Sequence, residues 1–211
     1  MTDTLLRTTH LADAADQLGC GEAAGLGNLA WLGRPGAMAI GRAFTIQQRA
    51  VAYQGGTPPL DTRQGEVAGQ LLGAGELLVI DVDGETLGAT WGEAQTLRAI
   101  NANAAGVLMY GYTRDIDGMR ERGFPVLCRG GSPFRSLGRM QTVDIRCDLD
   151  IAGVRVRHGD TVAIDADGFV CIPAEHAETV IARAKEIALK EQERDRQLSA
   201  GAMMASKETG C

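Results

Sequence analysis

Apolar and polar positions along the chain follow two rhythms, and the switches between them mark its elements. From Leu5 to Leu18 apolar residues recur at helical spacing, and the run stops at Gly19, which suits the position that closes a helix. Residues 174–198 repeat that rhythm, with Ala177, Val180, Ile181, Ala184, Ile187 and Ala188 on one stripe. Between these helices the spacing shortens. Ala39–Gln47, Leu77–Val82 (closed by Asp83-Gly84), Phe124–Cys128, 142–147 and 152–157 read as strands. Thr161–Ile164 and Phe169–Ile172 flank Asp165-Ala166-Asp167-Gly168, a hairpin signal. Gly65–Leu72 predicts a short helix, and residues 53–65, with Gly55-Gly56 and Pro58-Pro59, a long loop of the kind that often carries function. Asp117-Gly118 predicts a turn before another short helix. Gly19–Gly41 is glycine-rich and reads as a flexible connector tacked to the core by Trp31 and Leu32. Gly19-Cys20-Gly21 lacks the preceding strand that a dinucleotide fingerprint requires.

The most informative stretch is Gly92–Asp115. It predicts a helix opening at Gly92 with Ala94, Leu97, Ala99 and Ile100 on its inner face, a turn at Gly106, and a covered strand through Val107, Leu108 and Met109. Arg114 and Asp115 close that strand. A helix–strand hairpin returns the helix's first turn to the far end of the strand, so Glu93 is expected beside Arg114 and Asp115. Two carboxylates and a guanidinium would then share one mouth, with Asp81 ending a neighbouring strand near it. Taken singly, these residues also fit a surface salt bridge and a helix-dipole partner.

Composition narrows the class. A chain of 211 residues suits one domain, or one domain with an arm, and 45% hydrophobic residues allow a sizeable core. A net charge of −6 argues against a nucleic-acid partner, which needs a basic face. No apolar run approaches the ~20 residues of a membrane span, and the N-terminus lacks a secretory pattern, so a cytoplasmic protein is expected. The five cysteines are scattered without a C-x2-C pair, and the three histidines show no ligand spacing. Cys128 and Cys171 read as core fillers.

Glu93, the twenty residues after it, Arg114 and Asp115 resemble the D/E-x20-R-D motif of the class II pyruvate aldolases, the 4-hydroxy-4-methyl-2-oxoglutarate / 4-carboxy-4-hydroxy-2-oxoadipate aldolases. Further pieces match in order: Gly41-Arg42-Ala43-Phe44-Thr45, Gly75 to Asp81, Arg114 to Gly118, Phe124-Pro125-Val126, and Gly159-Asp160 through Asp167-Gly168 to Pro173. That family shares its fold with the regulator of ribonuclease activity A, whose members usually keep Arg-Asp and lack the first acid. The resemblance implies an α/β fold, a layered ββα sandwich resembling the swivelling phosphohistidine domain. That domain would cover 1–175, with a C-terminal helical arm and tail over 176–211. It implies a trimer or hexamer with sites between copies. Asp115 would hold a divalent cation, Mg²⁺ or Mn²⁺; Arg114 would face the developing enolate; and Glu93 would poise the water that takes the C4-hydroxyl proton. Gly92 and the amides of Ala94, Gln95 and Thr96 would cradle the pyruvoyl carboxylate. Glu191, which continues the apolar stripe of the last helix, is the candidate for the glutamate that a neighbouring copy contributes in these aldolases, with Glu193 on the opposite side. The implied activity is metal-dependent retro-aldol cleavage of a 4-hydroxy-2-oxo dicarboxylic acid to release pyruvate, with oxaloacetate decarboxylation on the side. The alternatives are a ribonuclease-binding regulator and a lyase using the same enolate chemistry on another 2-oxo acid. Arg42, Arg129 and Arg135 are open candidates for the substrate's remote carboxylate.

Overall fold

The structure is a computed structural model of the chain and describes residues 5–25, 29–53, 55 and 62–208. In chain order the elements are α1 (Thr8–Leu18), β1 (Glu22–Gly25), β2 (Ala30–Trp31), β3 (Ala39–Ala50) and α2 (Gln64–Glu66), which runs into a π-helical turn, Val67–Leu71. There follow β4 (Glu76–Asp83), β5 (Gly88–Trp91), α3 (Glu93–Asn101), β6 (Gly106–Thr113), α4 (Ile116–Arg122), β7 (Val126–Gly131) and β8 (Phe134–Arg135). The chain ends with β9 (Met140–Ile145), β10 (Leu149–Ile151), β11 (Val154–Val156), β12 (Thr161–Ile164), β13 (Gly168–Ile172), a 3-10 turn (Ala174–His176) and α5 (Ala177–Glu208).

A mixed α/β fold results, built on an eleven-stranded sheet among the described residues. Its centre is parallel: β3, β4, β6 and β7 lie side by side, and β5 joins the end of β6. The flank is antiparallel, running from β3 through β12 and β13 to β1. Parallel strands covered on both faces should read as unbroken apolar runs. Leu77 to Ile80 and Val107 to Met109 do so, and all are fully buried. One face of the sheet (Phe44, Ile46, Leu78, Ile80, Met109) packs under the π-helical turn after α2 and under α3 and α4, through Val67, Ala99 and Met119. The other face (Leu77, Val79, Leu108) is closed by the β10–β11 hairpin through Leu149, Ile151, Val154 and Val156. A third cluster joins α1 and α5 across β12 and β13, with Leu11, Ala14, Val180, Ala184 and Ala188 buried. The predicted stripe on the last helix is thus the seam that docks it on α1.

Several expectations change. The run after Gly19 is not a loose connector: Glu22–Gly25 is an edge strand on β13, and Ala30–Trp31 pairs with β7, although Leu32 is buried as expected. The turn after α3 is made by Asn103 in the left-handed region (φ 55°), while Gly106 already lies in β6, where Pro125 O would sit 3.1 Å from an added Cβ. Asp117-Gly118 lies inside α4, because Asp115 itself makes the turn. The inner face predicted for α3 is also displaced. Thr96 and Ala99 are buried, whereas Leu97 and Ile100 are 38% and 37% exposed. The loop expected over 53–65 falls mostly outside the described residues. Cys128 and Cys171 are buried fillers, and burial pushes their thiols up to about 11 and about 12, which makes them poor nucleophiles.

Candidate functional site

The site forms where β5 hands over to α3 and β6 hands over to α4. Adjacent parallel strands bring the two crossings together at the carboxyl edge of the sheet, the usual place for a ligand in such sheets. Arg114 N–H donates to Trp91 O at 3.1 Å, which ties the second crossing to the first. Gly92 caps α3 in an extended conformation (φ −174°), so its glycine is not demanded by the backbone. It is demanded by space: a Cβ there would sit 2.8 Å from Asp115 Oδ2 and 3.2 Å from Arg114 Cγ.

Asp115 occupies the left-handed region (φ 59°), uncommon for a residue with a side chain. This turn aims its carboxylate back at α3, where Oδ2 accepts the Glu93 N–H at 3.4 Å and lies 3.4 Å from Arg114 Nε. Asp115 and Arg114 are both about half exposed. Oδ1 has no hydrogen-bond partner among the described residues. Glu93 lies over the first turn of α4, its carboxyl carbon 3.0 Å from where a Gly118 Cβ would be. There Arg122 grips it, Nε donating to Oε1 at 3.0 Å and Nη2 donating to the same oxygen. Glu93 thus meets Asp115 through its backbone N–H, while its carboxylate is turned over α4 onto Arg122. The sequence reading missed Arg122; its place one turn along the α4 face from Gly118 and Met119 was the available signal.

Beyond Arg114 lies a cavity of about 100 Å³, lined by Gln64, Thr90, Trp91, Gln95, Arg135 and Ser136 among others. At ~30 Å³ per water it holds only a few heavy atoms' worth of ligand. Glu93 and Asp115 stand beside it rather than in its wall. Under it runs a buried amide network. Gln48, fully buried, donates Nε2 to Gln64 Oε1 at 2.9 Å and accepts from the Thr90 hydroxyl, and Gln64 Nε2 donates to Ser136 Oγ at 3.4 Å. Gln64 and Ser136 were illegible in sequence because they come from distant segments.

The amides at the mouth of α3 divide. Thr96 N–H makes the first intrahelical bond, to Gly92 O at 3.1 Å, and its hydroxyl sits between Trp91 Nε1 and Gly92 O at 2.9 and 3.1 Å. The Thr96 amide and hydroxyl are thus both engaged at the helix start, where the expectation had the amide open to a ligand. Ala94 and Gln95 keep free amides there, among the described residues. Asp81 shares the sheet face of Leu77 and Val79, opposite the site, and donation from Gln47 at 2.8 Å occupies it; burial raises its pKa. Of the three arginines left open, Arg42 is bound to Glu76 at 2.7 Å, Arg129 stacks on Tyr110 and Tyr112, and only Arg135 reaches the cavity. Glu191 lies away from these residues, on α5: Oε2 is 2.9 Å from His10 Nε2 and Oε1 is 3.4 Å from Arg194.

A divalent cation finds hard oxygen donors here, and the fit is that of a sparse site. Among the described residues no three His, Cys, Asp or Glu side chains gather as a closed cage. The half-exposed Asp115 carboxylate with an open oxygen, and Glu93 behind it, suit a cation that keeps most of its waters.

Comparison with known proteins adds the following. The RraA-like family, described as Aldolase/RraA, matches residues 8–171. A protein of Halalkalibacterium halodurans named "putative 4-hydroxy-4-methyl-2-oxoglutarate aldolase" is 30% identical over 129 residues, 61% of this chain and 61% of that one. Protein DlpA of Legionella pneumophila is 27% identical over 190 residues, 88% of this chain and 29% of that one. The chain thus spans less than two thirds of the length of these curated relatives. Among solved structures, an uncharacterized protein from Pseudomonas syringae pv. tomato superposes with a TM-score of 0.78 at 28% identity, covering 93% of this chain and 89% of that one. The RNA-processing inhibitor RraA from Thermus thermophilis gives 0.63 at 27% identity, covering 79% and 92%.

Proposed function

The chain belongs to the RraA-like family, Aldolase/RraA, and from that premise we propose that it is a divalent-metal-dependent carbon–carbon lyase. It would cleave a 4-hydroxy-2-oxo dicarboxylic acid by a retro-aldol step and release pyruvate, with oxaloacetate decarboxylation as a side activity. The observation that supports this reading is the packing of Arg114 and Asp115 against Gly92, whose Cβ would stand 2.8 Å from Asp115 Oδ2, with the Glu93 N–H on that same oxygen. The aldolase name of the Halalkalibacterium halodurans relative supports it.

Asp115 would hold the cation through its open oxygen, with Glu93 reaching it through water. A bound Mg²⁺ or Mn²⁺ supplies Lewis acidity at the substrate's 2-oxo group. The Ala94 and Gln95 amides, at the positive end of α3, take the adjoining carboxylate. Arg114 presents a fixed fork of charge to the oxygen that becomes negative as the C3–C4 bond breaks, where preorganised donors are worth about 3–4 kcal/mol each. Glu93, oriented by Arg122, poises a water to accept the C4-hydroxyl proton; the C4 carbon becomes a carbonyl, and the C3–C4 electron pair stays on C3 as the enolate. Protonation at C3 gives pyruvate. Glu191 of a second copy, in a trimer or hexamer, would complete the site after leaving His10.

The test is a lactate-dehydrogenase-coupled pyruvate assay on a panel of 4-hydroxy-2-oxo acids and oxaloacetate, with and without chelator. Turnover that chelator abolishes and Mg²⁺ or Mn²⁺ restores is expected; no pyruvate from any substrate would reject the lyase reading. Arg114→Ala should lower kcat by about two orders of magnitude while metal affinity changes little. A fall in metal affinity alone would remove Arg114 from the enolate role. The rival reading, a regulator that docks on a ribonuclease, draws on the likeness to the RNA-processing inhibitor RraA. The acid at position 93 favours the enzyme.

A further inference from the structure

The small cavity beside Arg114 adjoins a larger one, of about 780 Å³, and Gln64, Gln95 and Ser136 line both. Two guanidinium groups line the larger cavity, and they differ in their commitments. Arg63 is occupied by Glu66, with Nε to Oε2 at 2.7 Å and Nη2 to Oε1 at 2.9 Å. The exposed Arg98 guanidinium has no hydrogen-bond or ion-pair partner among the described residues. Its side chain lies on a shelf of bare glycine: an added Cβ would come 3.4 Å from Arg98 Cδ at Gly69, and 3.0 Å from Arg98 Nη1 at Gly65. The lack of a side chain at Gly65 leaves room for the guanidinium, while at Gly69 an added Cβ would meet the stem at ordinary van der Waals distance.

Gln95 and Arg98 are three residues apart on α3, hence neighbours on one face, with Cβ atoms about 5–6 Å apart. Arg98 therefore stands one turn outward from the amides that receive the pyruvoyl end. Arg114, Arg135 and Arg98 gather round one groove in a protein of net charge −6, and the acid facing the outer cavity, Glu66, is already neutralised. Arg114 is shared with Asp115, but Arg98 and Arg135 have no acidic partner among the described residues, and this local excess of positive charge in an acidic protein marks a groove shaped for an anion carrying more than one charge.

We infer that Arg98 determines specificity at the far end of the substrate: its guanidinium takes a second carboxylate, so the groove selects dicarboxylic over monocarboxylic 2-oxo acids of equal length. This assignment rests on the aldolase reading for the near end. A guanidinium fork matches a carboxylate with two parallel hydrogen bonds, which a monocarboxylic chain leaves unmade. Arg135 shares the inner cavity with Arg114 and so belongs to the near end.

The experiment is titration calorimetry in Mg²⁺ buffer with 2-oxoglutarate and 2-oxopentanoate, which share a carbon chain and differ in the terminal carboxylate. Neither has the C4 hydroxyl that cleavage needs, so both report binding alone. The wild-type chain should bind 2-oxoglutarate at least about tenfold more tightly. Arg98→Gln should bring that ratio near one, and Arg63→Gln should keep it. Two results overturn the assignment: equal binding of the two acids by the wild type, or a preference kept in Arg98→Gln; loss of that preference in Arg135→Gln would then move the role to Arg135. Exchange of the pyruvate methyl protons on the wild type reads the near end separately. Exchange together with equal binding leaves the lyase reading standing and removes Arg98. Neither exchange nor binding of either acid removes both.

Discussion

Asp115 joins a left-handed turn and the proposed cation ligand in one residue. Its left-handed turn costs about 1–2 kcal/mol for a residue with a side chain, somewhat less for Asp. Its ion pair with Arg114 is half exposed and worth little. Asp115→Gly relieves the turn but loosens the unfolded chain by about 0.5–1 kcal/mol. The two nearly cancel, so the melting temperature should stay within a few degrees while metal-dependent pyruvate release disappears. A variant that keeps turnover would take Asp115 out of the cation site. Gly92→Ala separates the same two properties from the other side. Its extended backbone accepts alanine, and the clash falls on the Asp115 carboxylate end and on the Arg114 stem at Cγ, both of which must shift. Stability should hold while kcat falls about tenfold or more, as a displacement of about 1 Å in a reacting group does. Equal kcat in a well-folded Gly92→Ala chain would mean that the Asp115 position is not critical.

At the scale of elements, the α1–α5 seam carries its own titration. Thr8 N–H and hydroxyl donate to Asp165 at 2.8 and 2.6 Å, anchoring the start of α1. His10, nearly buried, accepts the Arg7 N–H on Nδ1 at 3.2 Å, which leaves Nε2 to donate to Glu191. That hydrogen bond, with help from Arg194, holds the Glu191 carboxyl below the usual glutamate range. The folded chain thus takes up this proton at lower pH than the unfolded chain. The contribution is whole above the ordinary glutamate value and is lost as pH falls through the folded one. Glu191→Gln should be the less stable chain at neutral pH and should lose less stability between about pH 6 and about pH 3, read as urea midpoints. Identical acid limbs would dissolve the link. The same element shows how amphipathic pattern and docking agree. The stripe of Val180, Ala184 and Ala188 was visible as a period, and burial follows it.

At the scale of the whole molecule, two apolar residues next to the site stay more than a third exposed among the described residues. Leu97 and Ile100 project from α3, the helix that carries Glu93 and Arg98, on the side turned away from the core. We propose that a second copy, in the trimer or hexamer the family resemblance implies, covers them and stands beside the groove. Light scattering after gel filtration should report three or six copies for the native chain, and Leu97→Glu should lower that number by burying a charge at the contact. A monomeric native chain would also leave Glu191 without a neighbouring site to enter.

Much of this was written in the order of residues. The Gly92–Asp115 pattern placed a helix start and a strand end on one edge, because a helix–strand hairpin of that length has few ways to close. The stop at Gly19, the Thr161–Ile172 hairpin and the buried strands followed from local period and turn chemistry, which act over a few residues. What sequence left undecided depends on partners far along the chain. Whether Glu22–Gly25 pairs as an edge strand depends on β13, about 150 positions away. Which face of β4 Asp81 takes is set by sheet register, and α3 buries Thr96 and Ala99 because of where α2 and the sheet stand, not because its own apolar stripe points there. Arg122 on Glu93, Gln64 under the cavity and the unpaired Arg98 were decided by tertiary approach alone, since side chains from separate segments meet only after the sheet has closed.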